Sequence, residues 1–489
     1  MIKYGEWLPD ASDLMNGGSI EVKNVIPSSR GYKPFRSLQP ISGAADEYLR
    51  GFHTAKSASG TAFTFVADRQ KIYRQSVSGG TPTSVSRASN YSLSSSERWQ
   101  FATFGSYVVA AGPANSQLQK YQLGADTEFS DISGAPNAKF VAVVKDFVVC
   151  ANVYYGGNDY PEQVRWSEIN SATDWTIGDN QADYQAISDL GHITGIVGGE
   201  VGIVFLEKGI ARMQYVGSPL IFTFEKLETN QGTRFPGSIA SIGPSMTFYL
   251  SDNGFFMFDG QRSIPIGDGK VDQFFLQDLN YDKSDRITSI IDPREQVVLW
   301  SYPSKESVED PDKIIIYHWP SGRWSLAEVD HESLGITSSV GLTLEELDTL
   351  SSSLDELQIS LDDPSLAGGQ FQLVCSKDNK INEFSGVPLD ATLTTEEFEP
   401  SRGRFSVVKS VMPYITTKAA QTSLTVTTSI GSRNRQIDLP TFSDAVAVNE
   451  NNLCLHRKNG RYHRIKTEIS GNWRFALGAE IEFAIQGKR

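Results

Sequence analysis

The chain has 489 residues, with 44 Lys and Arg against 58 Asp and Glu, a formal net charge of −14. A length of this order and 39% hydrophobic content can fill more than one core, but no run approaches the ~18 apolar residues of a membrane helix. Three scattered cysteines, Cys150, Cys375 and Cys454, argue against disulfide stapling and against a zinc centre.

The amino terminus, MIKYGEWLPDAS, lacks the basic-then-apolar order of a secretory signal, so a soluble protein not exported by that route is expected. Beyond it, seven pairs of apolar runs, each pair broken by a polar turn, begin near Gly60, Phe104, Lys145, Gly199, Gly243, Arg294 and Gly368. Their starts lie 44, 41, 54, 44, 51 and 74 residues apart. That spacing is the period of a four-stranded propeller blade with loop insertions. Within the runs, Phe63 and Phe65, and likewise Phe256 and Phe258, share a face at the two-residue strand period. Turn words such as Asp252-Asn253-Gly254 and Gly267-Asp268-Gly269 supply the reversals. The expectation is an all-β chain: a β-propeller of seven blades, with six or eight as alternatives, and an additional C-terminal β region. The expected boundaries are a propeller body over 1–340, an acidic leucine-rich insertion over 341–367, a last propeller hairpin over 368–400 and a basic β region over 401–489.

The insertion departs from the strand pattern. Leu347, Leu350, Leu354, Leu357 and Leu361 recur at steps of three and four, with seven acidic residues and no basic ones around them. Ser351 to Ser353 interrupt the stripe, so two short helical turns or an extended strap fit as well as one helix. Its functional reading is a partner or subunit contact made by Leu347, Leu350, Leu354 and Leu357. After residue 400 the charge reverses, with 14 Lys and Arg against 6 Asp and Glu, a balance of +8. Arg457, Lys458, Arg461, Arg464 and Lys466 form its densest group, either the solvated face of a hairpin or a docking surface.

Catalytic patterns are absent: there is no G-x-S-x-G, no G-x-x-x-x-G-K-[ST] and no H-E-x-x-H. Ser251–Phe255 and Ser171–Trp175 approach the Asp-box of sialidase-like propellers, but neither has its full order, and turn structure explains both. The expectation is therefore no enzyme, no catalytic or metal-binding residues and no cofactor. Tyr154, Tyr155, Tyr160, Trp166 and Trp175 crowd one repeat. Trp166 continues a strand and is expected to pack, whereas Tyr154 and Tyr155 suit either packing or contact with a protein or glycan.

Several words carry a resemblance to a known family. Tyr4-Gly5-Glu6-Trp7-Leu8-Pro9-Asp10, KNVIPSSRGYKPF, RWSEINSATDW with Arg165, Trp166, Asp174 and Trp175, SDNGFFMFDG and the closing GRYHRIKTEISGNWRFALGAEIEFAIQGKR together resemble the tail nozzle, or packaged-DNA stabilisation, proteins of short-tailed P22-like and T7-like bacteriophages. The resemblance implies a virion structural protein, made in the host cytoplasm. It implies a hexameric ring below the portal and head-tail adaptor that carries tail fibres, spikes or a needle. Double-stranded DNA would pass through its lumen without sequence-specific binding. Six copies would carry −84, and an acidic lining repels the DNA backbone rather than braking it. A receptor- or glycan-binding propeller, and a propeller glycosidase, are the alternatives.

Overall fold

The computed structural model describes residues 1–11, 17–75, 79–112, 116–339, 370–417 and 424–487. Seven antiparallel four-stranded sheets follow one another along the chain, at 51–84, 100–131, 137–186, 193–228, 240–265, 288–328 and 333–383, the last completed by Gln39–Ala44. These are the blades of a seven-bladed propeller. Neighbouring innermost strands pack around the ring, and the first, Gly51–Lys56, meets the last, Ser333–Ser338, so the ring is closed.

The apolar runs that set the period in the sequence are the second strands of the blades: Ala62–Ala67, Tyr107–Ala111, Phe147–Tyr155, Gly202–Leu206, Thr247–Ser251, Val297–Tyr302 and Phe371–Lys377. A second strand has a partner on each edge and a blade packed on each face, so it reads as unbroken apolar sequence; Gly202–Leu206 is buried throughout. Innermost strands face the axis along one edge and outermost strands face solvent. Their sequences, such as QFATF at Gln100–Phe104 and DYQA at Asp183–Ala186, carry a weaker signal. Separate apolar clusters fill the gaps between blades, for example Phe65, Tyr121 and Phe129 between blades one and two, and Phe205, Tyr249 and Phe258 between blades four and five.

The domain boundaries differ from those expected. The described residues of 1–36 do not belong to the propeller. Ile2–Lys3 pairs with Phe475–Ile485, Val25–Ser28 and Gly31–Pro34 form a hairpin joined to the same strand, and Glu21–Lys23 pairs with Ala391–Thr394. With Ser406–Thr416, Thr425–Arg433, Cys454–Gly460 and Tyr462–Ser470 they build a two-sheet sandwich around Val408, Val411, Ile430, Cys454, Ile465 and Ala479. Ala391–Thr394, expected in the propeller, also lies in the sandwich. Ladders between residues hundreds of positions apart leave no local trace in sequence, so this boundary is not legible there. Residues 341–367 lie outside the described residues.

Propeller and sandwich share a sheet. Lys23 bridges in parallel to Leu326 on the outermost strand of blade six, so that strand continues into the sandwich. The joint is filled by Tyr4, Trp7, Tyr32, Trp300 and Trp324. The Tyr4 hydroxyl donates to Thr467 Oγ1 at 2.7 Å and the Tyr32 hydroxyl to the Gly5 carbonyl at 2.6 Å.

A short helix, Asp272–Asp278, seals this joint from blade five, burying Phe275 and its flanking residues Val271 and Leu279. Asp10 accepts the amides of Gln273 and Phe274 at 2.8 and 2.7 Å, anchoring the N-terminal segment to the helix. Asp272 accepts the Phe255 amide at 3.0 Å. A Cβ on Gly267 or Gly254 would lie 2.0 or 2.2 Å from its carboxyl group, so both turns need glycine. Burial pushes the Asp272 carboxyl up to about 6, with Asp10 and Asp268 adding to the rise. A folded-state value raised above the ordinary one means that stability is highest with the proton bound and falls as pH rises from about 4 to about 6. The fall is expected to reach roughly 3 kcal/mol at most. Asp272→Asn should flatten it; equal slopes for both proteins in denaturant titrations across this range would refute the assignment.

Candidate functional site

At the end of the propeller where the seven innermost strands begin, the axis widens into a cavity of about 600 Å³. Six blades and the lead-in to the fifth contribute to its wall. Two lead-in segments place arginines there: Leu49-Arg50-Gly51 ahead of blade one and Glu97-Arg98-Trp99 ahead of blade two. Trp99 fixes both. Its indole N–H donates to the Asp68 carbonyl at 2.7 Å, its ring meets Tyr91 edge-on at 4.8 Å, and its amide donates to the Arg50 carbonyl at 3.2 Å. A Cβ on Gly51 would sit 2.5 Å from that of Trp99, so the two lead-ins run in close contact.

Arg98 Nη2 donates to the Asp285 carbonyl at 2.9 Å, which carries its side chain from blade two to the lead-in of blade six. Beside it, the guanidinium groups of Arg50 and Arg286 lie over the Tyr48 ring at 4.3 and 4.9 Å. Arg286 also bonds the Tyr48 hydroxyl and pairs with Glu309 at 3.1 Å. Burial lowers Arg98 from the usual arginine range to about 10, and the charges of Arg286 and Arg50 act in the same direction. The signal for these arginines was a basic residue just before an innermost strand. It could not be used, because those strands were not located from sequence.

The sequence-predicted basic residues do not form one patch. Cys454–Gly460 and Tyr462–Ser470 belong to opposite sheets of the sandwich, with Arg461 at the corner. Arg457 is exposed and Lys458 half-buried. Arg461 pairs with Glu399 at 2.7 Å and Lys466 with Glu468 at 3.0 Å. Arg464 is buried, 3.5 Å from Glu397, which also meets buried Arg433 at 2.7 Å. Only Arg457 and Lys458 of the five therefore suit an electrostatic docking surface. Leu347, Leu350, Leu354 and Leu357 lie outside the described residues.

The two Asp-box-like words are turns. Ser171 Oγ donates to Asp174 Oδ2 at 2.6 Å and accepts the Thr173 amide, while Trp175 is buried. Ser251–Phe255 is a hairpin reversal between two strands of blade five. Trp166 packs, as its strand position implied, whereas Tyr154, Tyr155, Tyr160 and Tyr184 are exposed on blade three. All three cysteines are buried free thiols. Among the described residues no cluster of three or more His, Cys, Asp or Glu side chains is arranged for a metal ion, and no helix is long and apolar enough to cross a membrane.

No family model and no curated protein matches the chain. Among solved structures it is similar to the extracellular domain of the putative one component system BT4673 from B. thetaiotaomicron, at 8% identity over 86% of this chain, with a TM-score of 0.40. This chain spans 46% of that one. It is also similar to YCF48 from Cyanidioschyzon merolae, at 9% identity over 71% of this chain and 98% of that one, with a TM-score of 0.36. Such likenesses assign no function; the propeller assignment rests on strand order and ring closure.

The Arg433–Glu397–Arg464 group predicts a sharp contrast. Removing the carboxylate leaves two buried guanidinium groups without it, so Glu397→Ala should cost about 3–5 kcal/mol in denaturant unfolding. Arg457→Glu, on the surface, should stay within about 0.5 kcal/mol of the parent. Similar losses for both variants would contradict this division between structural and surface charge.

Proposed function

We propose that the chain is a virion structural protein without catalytic activity: the nozzle or hub of a short bacteriophage tail. Copies would assemble as a six-fold ring that extends the portal-adaptor channel, helps retain packaged DNA and carries distal appendages. The observation that carries this reading is the family resemblance of words that run from Tyr4 to the carboxy terminus. Their buried members serve packing: Tyr4, Trp7 and Tyr32 in the joint, Trp166 between blades three and four and Trp175 between blades two and three.

Charge and size are consistent with it. Residues 1–36 carry +1 and residues 401–489 carry +8, so of the total of −14 the intervening chain holds −23. An acidic body repels the DNA backbone, while a basic unit suits an acidic neighbour. A cavity of about 600 Å³ is the size of a small-molecule pocket. It cannot admit a duplex whose major groove alone is about 12 Å wide. DNA would therefore pass through the opening of a ring of copies, not along the axis of one propeller.

The test is assembly on the portal-adaptor complex, followed by negative-stain imaging. A six-fold ring with a central hole is expected, and a protein that stays monomeric there would end this reading. Arg457→Glu with Lys458→Glu should slow attachment and yield particles that fill with DNA but leak it. The attachment should weaken with salt, since screening acts over about 10 Å at 0.1 M. Complete, DNA-retaining tails from the double variant would remove these two residues from docking.

A receptor- or glycan-binding propeller is the second reading. The exposed group of Tyr154, Tyr155, Tyr160 and Tyr184 favours it, with Arg165 stacked 4.3 Å from the Tyr155 ring. It requires the isolated protein to bind host surface and Tyr155→Ala with Tyr184→Ala to abolish that binding.

A further inference from the structure

The axial cavity combines features that packing alone does not require. Arg50 is 8% exposed, yet among the described residues its side chain's hydrogen bonds run only from Nη1, to the carbonyls of Ser94 and Ser95, at 2.6 and 3.4 Å. Its Nε is buried without a partner, a costly condition for a charged donor. Among the described residues the Arg98 side chain donates only from Nη2, to a carbonyl. Among the described residues neither arginine has a carboxylate within ion-pair distance, whereas Arg286 has Glu309 and Arg234, also at the cavity, has Asp252. Asp285 meets Arg98 through its backbone, not its carboxylate. Two guanidinium groups with donors to spare, carried by the lead-ins of adjacent blades, thus line one concave site, and such groups recognise a planar or tetrahedral oxyanion.

The wall on the blade-four side has the opposite character. Glu207 Oε2 accepts the His192 amide at 3.3 Å, and among the described residues its other oxygen has no hydrogen-bond donor. A carboxylate so placed accepts hydroxyl groups. Between the two walls, Phe140, Ile193 and Ile239 supply apolar surface. The cavity volume of about 600 Å³ matches a ligand of one or two sugar rings.

We propose that this cavity binds a small hydroxylated anion, a sugar acid or a sugar phosphate, with its oxyanion held between Arg50 and Arg98 and its hydroxyl groups directed toward Glu207. The site lies within one propeller and does not depend on ring assembly. Its electrostatics explain why two adjacent blades each place an arginine at their lead-in: a bound oxyanion offsets the mutual repulsion of the guanidinium groups. The site would serve recognition of a small molecule or of the end of a glycan.

The test is calorimetric titration of the full chain with glucuronate, glucose 6-phosphate and inorganic phosphate, with glucose as the neutral control. At least one sugar anion should bind more tightly than glucose and phosphate; which one distinguishes a carboxylate from a phosphate ligand. Arg50→Gln should weaken that binding at least about tenfold, as expected for loss of a hydrogen bond to a charged group. Arg98→Lys keeps a cationic donor to the Asp285 carbonyl but loses the fork, and should also weaken it. Arg457→Gln, far from the cavity, should not. Absence of binding by both sugar anions up to about 10 mM overturns the proposal, as does equal binding of glucose. Should either cavity variant fail to fold, anomalous scattering from tungstate soaked into crystals of the parent decides the matter. A peak between Arg50 and Arg98 supports the site, and no peak there refutes it.

Discussion

The pairing of Gln39–Ala44 with Lys380–Glu383 is the constraint on which the rest of the molecule depends. A blade is stable only when both of its faces are covered, and an open ring would expose the faces that Val66, Tyr73, Val374 and Ile381 now bury against each other. The closing strand comes from the other end of the propeller segment, so the last sheet cannot be completed until both ends have been brought together. Pro40 is tolerated there because an outermost strand has a free edge.

Closure fixes the sandwich as well. The chain just ahead of the closing strand must leave the propeller beside blade six, where Lys23 bridges to Leu326 and Ser325 Oγ donates to the Val25 carbonyl at 2.7 Å. Both termini therefore end in one unit, locked by the aromatic joint around Trp300 and Trp324. A sandwich made from the two ends of the chain and a ring made from its middle form one cooperative structure. Its charge is segregated, the intervening chain of −23 lying between terminal segments of +1 and +8.

The axis is the other consequence. Seven innermost strands leave a space that their own side chains only partly fill, and the lead-in residues determine its chemistry. Arg50 and Arg98 are brought together because Trp99 packs on Gly51, a contact between adjacent blades. Arg98 then reaches across to Asp285, so the residue that shapes the cavity also ties distant blades.

Local sequence determined the strand content, the period and the count of seven, because each second strand is buried on both faces and cannot tolerate polar interruption. Gly254 and Gly267, singled out as turn residues, are required at the Asp272 carboxyl. The tertiary structure alone decided which strands complete the last blade and that residues 1–36 join residues 391–487. Those pairings link positions hundreds of residues apart, and a strand's sequence records its burial but not its partner. The same limit applied to charge. Arg457 and Arg464 look alike within one basic run, yet alternation and a sheet-to-sheet corner leave one in solvent and bury the other beside Glu397. The arginines of the axial cavity are illegible for the complementary reason: 48 residues separate them in the chain, and only the packing of Trp99 on Gly51 between adjacent blades brings their lead-ins together.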